Sequence, residues 1–326
     1  MKKVFAVTAA LALLGLCIAA HAAITIDTVA VGDKGNVADT TGYGSVGYNY
    51  NIGKYEVTAG QYTAFLNAVA NVSDTYGLYN SSMWSNTSYG CKIQQTSISG
   101  GYSYSVASDY ANRPVNYVSF WDSCRFANWL GNGQGSGGTE TGAYTLTPTG
   151  ITNNTITRNI GWTGWAVTNE DEWYKAAYYK GGNTTAGYWV YPTKSDTAPG
   201  RDMTDASGNN ANYYTGSGAY PIDSGKYTTV VGEFQSSDSP YGTFDQGGNV
   251  CEWNEAIISS SRGLRGGAFI AEWDYHILQS SDRGGTHPAG EHHYFGFRVS
   301  EVPEPSSIIA LLGGLVGLLG MRRRRV

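Results

Sequence analysis

Asp245 and Glu252 flank the pair Gly247-Gly248, so two carboxylates and the exposed carbonyls of a tight turn lie close together in the chain. Carboxylate and carbonyl oxygens are the ligands a hard cation such as calcium takes. Acidic residues around a turn are also ordinary solvated surface, and both readings stand at this point. Further on, His276, His287, His292 and His293 share one stretch with Asp274, Asp282 and Glu291. Two histidines and a carboxylate can hold iron(II). No pair here has a spacing that forces convergence, and exposed loop residues are the expectation. Of the four cysteines, Cys17 lies in an apolar leader, leaving Cys91, Cys124 and Cys251. Three thiols allow one bridge at most, so no disulfide framework holds this fold. Cys124 and Cys251 read as small core residues, and Cys91, in polar sequence, as an exposed thiol or one end of a bridge. Trp162, Trp165, Trp189 and Trp273 could stack on sugar rings, while Arg265 and Arg298 read as internal salt-bridge or backbone partners.

The elements that must position these groups are short. Asn51 to Val57 alternates polar and apolar like a strand, and Thr58 caps a helix over 59–70 with Tyr62, Phe65, Leu66 and Val69 on one face. Residues 71–110, polar and aromatic with glycine punctuation, read as a long surface insertion. Arg113 to Ser119 is extended, as Pro114 requires, and Ser119 caps a helix over 120–130 with Phe120, Cys124, Ala127 and Leu130 inward. A glycine-rich linker over 131–142 precedes an expected strand at 143–147, and Trp165-Ala166-Val167 forms another. Thr168 opens a third helix, with Asp171 closing a near capping box and Trp173, Ala176 and Ala177 inward. Beyond residue 181, short strands between Gly, Asp and Ser turns are expected.

The ends carry sorting grammar. Met1-Lys2-Lys3, an apolar run and Ala20-His21-Ala22 read as a signal peptide over 1–22, cut by signal peptidase. At the other end, Val302-Pro303-Glu304-Pro305-Ser306 leads into a glycine-rich apolar stretch over 308–321 and then four arginines. About fourteen apolar residues are short for a permanent span, which needs roughly 20, and the arginine block stays cytoplasmic. This tail, 302–326, resembles the PEP-CTERM sorting signal. The resemblance implies export through a transient inner-membrane anchor, cleavage near Pro303-Glu304-Pro305 by an exosortase, and delivery to the surface or extracellular matrix of a Gram-negative-type bacterium. The chain has 21 basic and 26 acidic residues; without Lys2, Lys3 and the terminal arginines, 15 face 26, a net of about −11. Such a domain repels phosphate backbones, which excludes a nucleic-acid partner.

Six stretches, in order, resemble the sulfatase-modifying-factor family, whose best-known member is the formylglycine-generating enzyme. They are Lys54-Tyr55-Glu56-Val57-Thr58, Pro114 to Ser119, Thr168-Asn169-Glu170-Asp171-Glu172-Trp173, Gly247-Gly248-Asn249-Val250-Cys251-Glu252-Trp253, Arg265-Gly266-Gly267-Ala268-Phe269 and Gly296-Phe297-Arg298-Val299. They cover most of residues 48–300, within a domain over 23–301. The resemblance implies an α+β fold: a single irregular, C-type-lectin-like domain with short strands and about three helices, Trp173 and Trp253 in its core. It places one structural calcium on Asp245 and Glu252 with the carbonyls of Gly248 and Val250. A second falls on Asn212 and Asp223 with the carbonyls of Tyr213 and Gly225.

The same resemblance exposes a loss. The enzyme binds copper(I) through two cysteines five residues apart, beyond the Gly-Gly-Ser/Ala-aromatic strand, and oxidises a substrate cysteine with oxygen. Here those positions are Ala271 and His276, and no cysteine follows Cys251. Alanine ligates nothing, and copper(I) needs soft thiolates, so no catalytic residue is assigned and copper is not expected. The reading leans to a non-catalytic, calcium-stabilised binding or matrix protein that contacts a surface polysaccharide or protein. The alternative is a metal-dependent oxidoreductase, or a sulfatase-maturation-type enzyme, that uses a different site.

Overall fold

A computed structural model describes residues 23–215, 221–223, 225–270 and 278–302. Its three longer helices all start with the same device. In helix α1 (Ala59–Val69) the Gln61 amide donates to Thr58 Oγ1 at 3.2 Å while the Thr58 amide donates to Gln61 Oε1 at 2.9 Å. After helix α2 (Ser82–Ser85) comes helix α3 (Phe120–Gly131), where Ser119 and Asp122 make the same reciprocal pair. Helix α4 (Pro148–Thr152) is a single turn with proline in its first turn, and in helix α5 (Glu170–Tyr178) the pair is Asn169 and Glu172. Each box satisfies two backbone donors that a helix start leaves orphaned. The expected start of α5, Thr168 with Asp171, is one residue early.

Ten strands are found among the described residues. Strands β1 (Thr28–Val31), β2 (Tyr50–Gly53), β10 (Val299–Val302) and β5 (Gly164–Val167) form an antiparallel sheet in that order, which ties both ends of the domain to its middle. Strands β3 (Ile93–Ile98) and β4 (Gly101–Val106) make a separate hairpin. A second four-stranded sheet has the order β8 (Gly284–Thr286), β7 (Ser261–Arg265), β6 (Cys251–Ile258), β9 (Phe295–Phe297). Its β6–β9 pair is parallel, with Trp253 opposite Phe297, and the β6–β7 register shifts between Asn254 and Ile257. The architecture is α+β and C-type-lectin-like, with two short helices beyond the three expected.

Helix α3 runs through the centre, buried at every position from Phe120 to Leu130. Its Phe126 meets Phe65 and Phe297 edge-on, with ring centroids 5.4 and 5.3 Å apart. Burying rings of this size contributes about 1.5–3 kcal/mol each. The segment 71–110 is not a surface insertion: Leu78, Met83, Cys91, Ile93 and Tyr104 all belong to this core. Residues 143–147 are not a strand either, since Thr147 caps α4 and Ala143 and Tyr144 turn into the core. Among the described residues no helix is long and apolar enough to cross a membrane. The signal peptide, Pro303-Glu304-Pro305 and the apolar stretch over 308–321 lie outside the described residues.

Candidate functional site

The Asp245–Glu252 turn is drawn tight by its backbone. Gly248 has φ of +98° and sits so close to Asn212 that a Cβ would lie 2.4 Å from the Asn212 carbonyl oxygen, a contact only glycine allows. Asn249 then donates its amide to that same carbonyl at 2.7 Å, and Gly248 donates to Gly266. Strand β6 leaves this turn and carries Glu252 into the interior, where both carboxylate oxygens accept from Arg298 at 2.6 Å and Oε2 also accepts from Trp173 Nε1 at 2.8 Å. Arg298 extends to the carbonyls of Gly53 and Phe244. Both arginines expected to be internal partners are so: Arg265 Nε donates to Glu170 at 2.9 Å.

Asp245 is held at φ of +59° and accepts from the Gly232 amide at 2.6 Å. Burial pushes its carboxyl up to about 6. A third carboxylate shares this interior and escaped the sequence reading: Glu56, 1% exposed, with neither oxygen hydrogen-bonded. Burial first, then the charges of Asp245 and Glu252, raise it well above the usual carboxylate range, which Arg298 only partly offsets. The signal available was a glutamate between two apolar residues, Tyr55 and Val57, just past an inward-facing strand. These side chains gather without closing on a point: among the described residues no three His, Cys, Asp or Glu groups are placed to hold a metal ion. Glu252, committed to Arg298, is a poor candidate ligand here. The spare acceptors are those of Glu56.

In the second predicted set, Asn212 donates to the Tyr227 carbonyl and to Asn249 Oδ1, while its own Oδ1 is buried without a partner. An orphaned buried carbonyl is costly, and a cation would satisfy it. Asp223 contacts Arg113, Tyr213 is buried with its hydroxyl on the Pro199 carbonyl, and Gly225 is exposed at φ of +80°. Residue 224 and residues 216–220 between these groups are outside the described set.

Among the described residues all three thiols are free. Burial raises Cys91 to about 11 and Cys251 to about 12, and lifts Cys124 well above the ordinary thiol range. Cys91 is therefore a core thiol, contrary to its expected exposure, because the β3 hairpin folds it against Asn116. Ala271, Trp273, Asp274 and His276 lie outside the described residues. His287 and His292 are exposed, as expected, whereas His293 stacks on Tyr89 with centroids 4.6 Å apart. Burial, and then the neighbouring His292, lower its pKa. Trp162 and Trp165 are half-buried and joined by a hydrogen bond, and Trp189 lies under Lys180. Among the described residues the exposed tryptophan is Trp84, which sequence reading passed over.

An open cleft of about 440 Å³ lies where the 43–48 loop, the start of α5 and the end of β6 meet, lined by Tyr43, Ser45, Tyr48, Asp171 and Glu255 among others. Behind it, Arg158 grips Glu172 at 2.8 and 3.0 Å and Glu255 at 2.8 Å. Tyr48 donates to Glu172 at 2.6 Å, and Tyr144 donates to Glu255. Burial works against the Glu172 charge, but Arg158, the Tyr48 hydroxyl and the Asn169 amide outweigh it and hold the carboxyl below its usual range. Along the rim, Glu170 is clamped by Arg265 and Arg283.

The profile of the sulfatase-modifying factor enzyme 1-like domain matches residues 41–302, and the PEP-CTERM protein-sorting motif matches residues 301–325. No curated protein matches the chain in sequence. In structure the chain is similar to Treponema denticola variable protein 1, at 18% identity and a TM-score of 0.52 over 87% of this chain and 97% of that one. It is also similar to CarF, at 19% identity and a TM-score of 0.50 over 86% and 99%. Likeness at this identity concerns the fold alone.

Proposed function

The chain belongs to the sulfatase-modifying factor enzyme 1-like family and carries a PEP-CTERM sorting motif, and from that premise we propose that it is an exported, surface-sorted binding protein without the family's copper chemistry. The observation that carries this reading is the absence of thiols where oxidase relatives bind copper: Ala271 and His276 stand there. Burial raises the three remaining thiols, which disfavours the thiolate form in which cysteine ligates a soft ion such as copper(I). Signal peptidase and an exosortase are the partners during export, with a transient anchor through 308–321. A surface polysaccharide or a matrix protein is the partner afterwards.

Calcium is part of this proposal. Asn212 Oδ1, Asp223 and the carbonyls of Tyr213 and Gly225 would hold one ion, supported by the partnerless oxygen of Asn212. Near the first turn, Asp245, the carbonyls of Gly248 and Val250, and the free carboxyl of Glu56 are the groups available. A bound cation would supply charge compensation to a fold with no disulfide among its described residues. The test is metal analysis of purified protein beside incubation of a cysteine-containing sulfatase peptide with protein and oxygen. Calcium alone and an unmodified peptide are expected. Stoichiometric iron or copper, or formylglycine in the peptide, would favour the alternative of an oxidoreductase or sulfatase-maturation enzyme.

A further inference from the structure

We propose that the cleft between the 43–48 loop, the start of α5 and the end of β6 binds an uncharged saccharide unit. This rests on the binding-protein reading and gives it a place and a ligand class. Three properties of the cleft select that class. Its volume, about 440 Å³, falls in the range of roughly 300–1,000 Å³ typical of small-ligand sites. Its walls include the rings of Tyr43 and Tyr48, and Tyr48 is 37% exposed although its hydroxyl is fixed on Glu172. A pyranose presents an apolar face of C–H bonds and a rim of hydroxyls, which needs such a ring beside hydrogen-bonding groups.

The third property is charge. Glu170, Asp171, Glu172 and Glu255 are set against Arg158, Arg265 and Arg283, close to balance. A polyanion would meet Asp171 and Glu255 with no free guanidinium to receive it. A cation would find Glu170, Glu172 and Glu255 already paired. Asp171 remains: its Oδ1 accepts from the Gly44 amide at 2.8 Å, which orients the carboxylate within the lining. Hydroxyl donors on a neutral sugar match oriented carboxylate acceptors. The Arg158 network sets both Tyr48 and Glu255 before any ligand arrives, so little side-chain entropy is lost on binding.

The test uses the purified full chain in affinity electrophoresis against dextran, laminarin and mannan, with alginate as the polyanionic probe. Two substitutions address the cleft. Gly47→Leu adds an apolar side chain to the lining at a position where a Cβ meets nothing within 4 Å, and its melting temperature is compared with the parent's. Tyr48→Ala removes a ring. Trp84→Ala removes an exposed tryptophan outside the cleft. At least one neutral polysaccharide should retard the protein, with affinity falling tenfold or more in Gly47→Leu and Tyr48→Ala and unchanged in Trp84→Ala. If a neutral polysaccharide binds equally well to Gly47→Leu, the cleft is not the site, though the binding reading stands. Retardation by alginate alone, or by no polysaccharide, also overturns the proposal. The metal and peptide assays above then judge the non-catalytic reading separately.

Discussion

Glu252 and Arg298 face each other through two 2.6 Å hydrogen bonds at a point where neither side chain has any solvent exposure. The pair joins β6 to the junction of β9 and β10, and Trp173 adds the first turn of α5. Removing one partner of such a pair leaves a bare charge, at a cost of about 3–5 kcal/mol. Arg298→Met should therefore lower stability by that amount in denaturant titration. Glu252→Gln keeps the Trp173 acceptor but leaves the buried Arg298 guanidinium without its counter-charge, and should cost a similar amount. An Arg298→Met protein as stable as the parent would show that the pair does not organise the core.

Calcium should raise the melting temperature and chelation should lower it. The stabilisation grows as the logarithm of free ion over the dissociation constant, about 2.7 kcal/mol at a hundredfold excess. Asn212→Leu removes the orphaned Oδ1 and should abolish the part of the increment that belongs to the second site. Glu56→Gln tests the first turn in the same way. A melting curve indifferent to calcium in the parent protein would show that the fold holds no structural ion.

The helix starts were legible because capping is local: Thr58 with Gln61 and Ser119 with Asp122 lie three residues apart. Thr168 and Asn169 both suit a cap, and the choice falls to Asn169 because Glu172, its box partner, is fixed by Arg158 from outside the helix. The core role of 71–110 was hidden since Leu78, Met83 and Ile93 follow no single period, being brought together by a turn, a short helix and a hairpin. Six matching stretches announced the fold. The cleft announced nothing, because its walls come from three segments more than a hundred residues apart at the extremes.

The buried thiols predict a kinetic signature. Cys91 and Cys124 are both within the core, and a protonated thiol is a weak nucleophile. In the native protein at pH 8, a thiol reagent such as DTNB should label Cys91 and Cys124 only as fast as the fold opens, and all three in denaturant. Rapid native labelling of Cys91 would restore the exposed-thiol expectation.

Asp122 should make stability depend on pH in an unusual direction. Burial, and then the charge of Glu291, raise its carboxyl to about 7, while hydrogen bonds from Ser119 and the charge of Arg125 pull the other way. Arg125 is itself tied to Glu140, which limits its help, and Tyr62 is the facing group on α1. An unfolded aspartate titrates near 3.9, so the folded state holds this proton more tightly. Its contribution is complete below about pH 4 and is lost as pH rises through about 7. Asp122→Asn keeps an oxygen acceptor for Ser119 and removes the titration. Relative to this variant, the parent should lose a few kcal/mol between about pH 4 and pH 7 in denaturant titrations. Parallel pH profiles for the two proteins would mean that Asp122 stays ionised in the core, with Arg125 outweighing its burial.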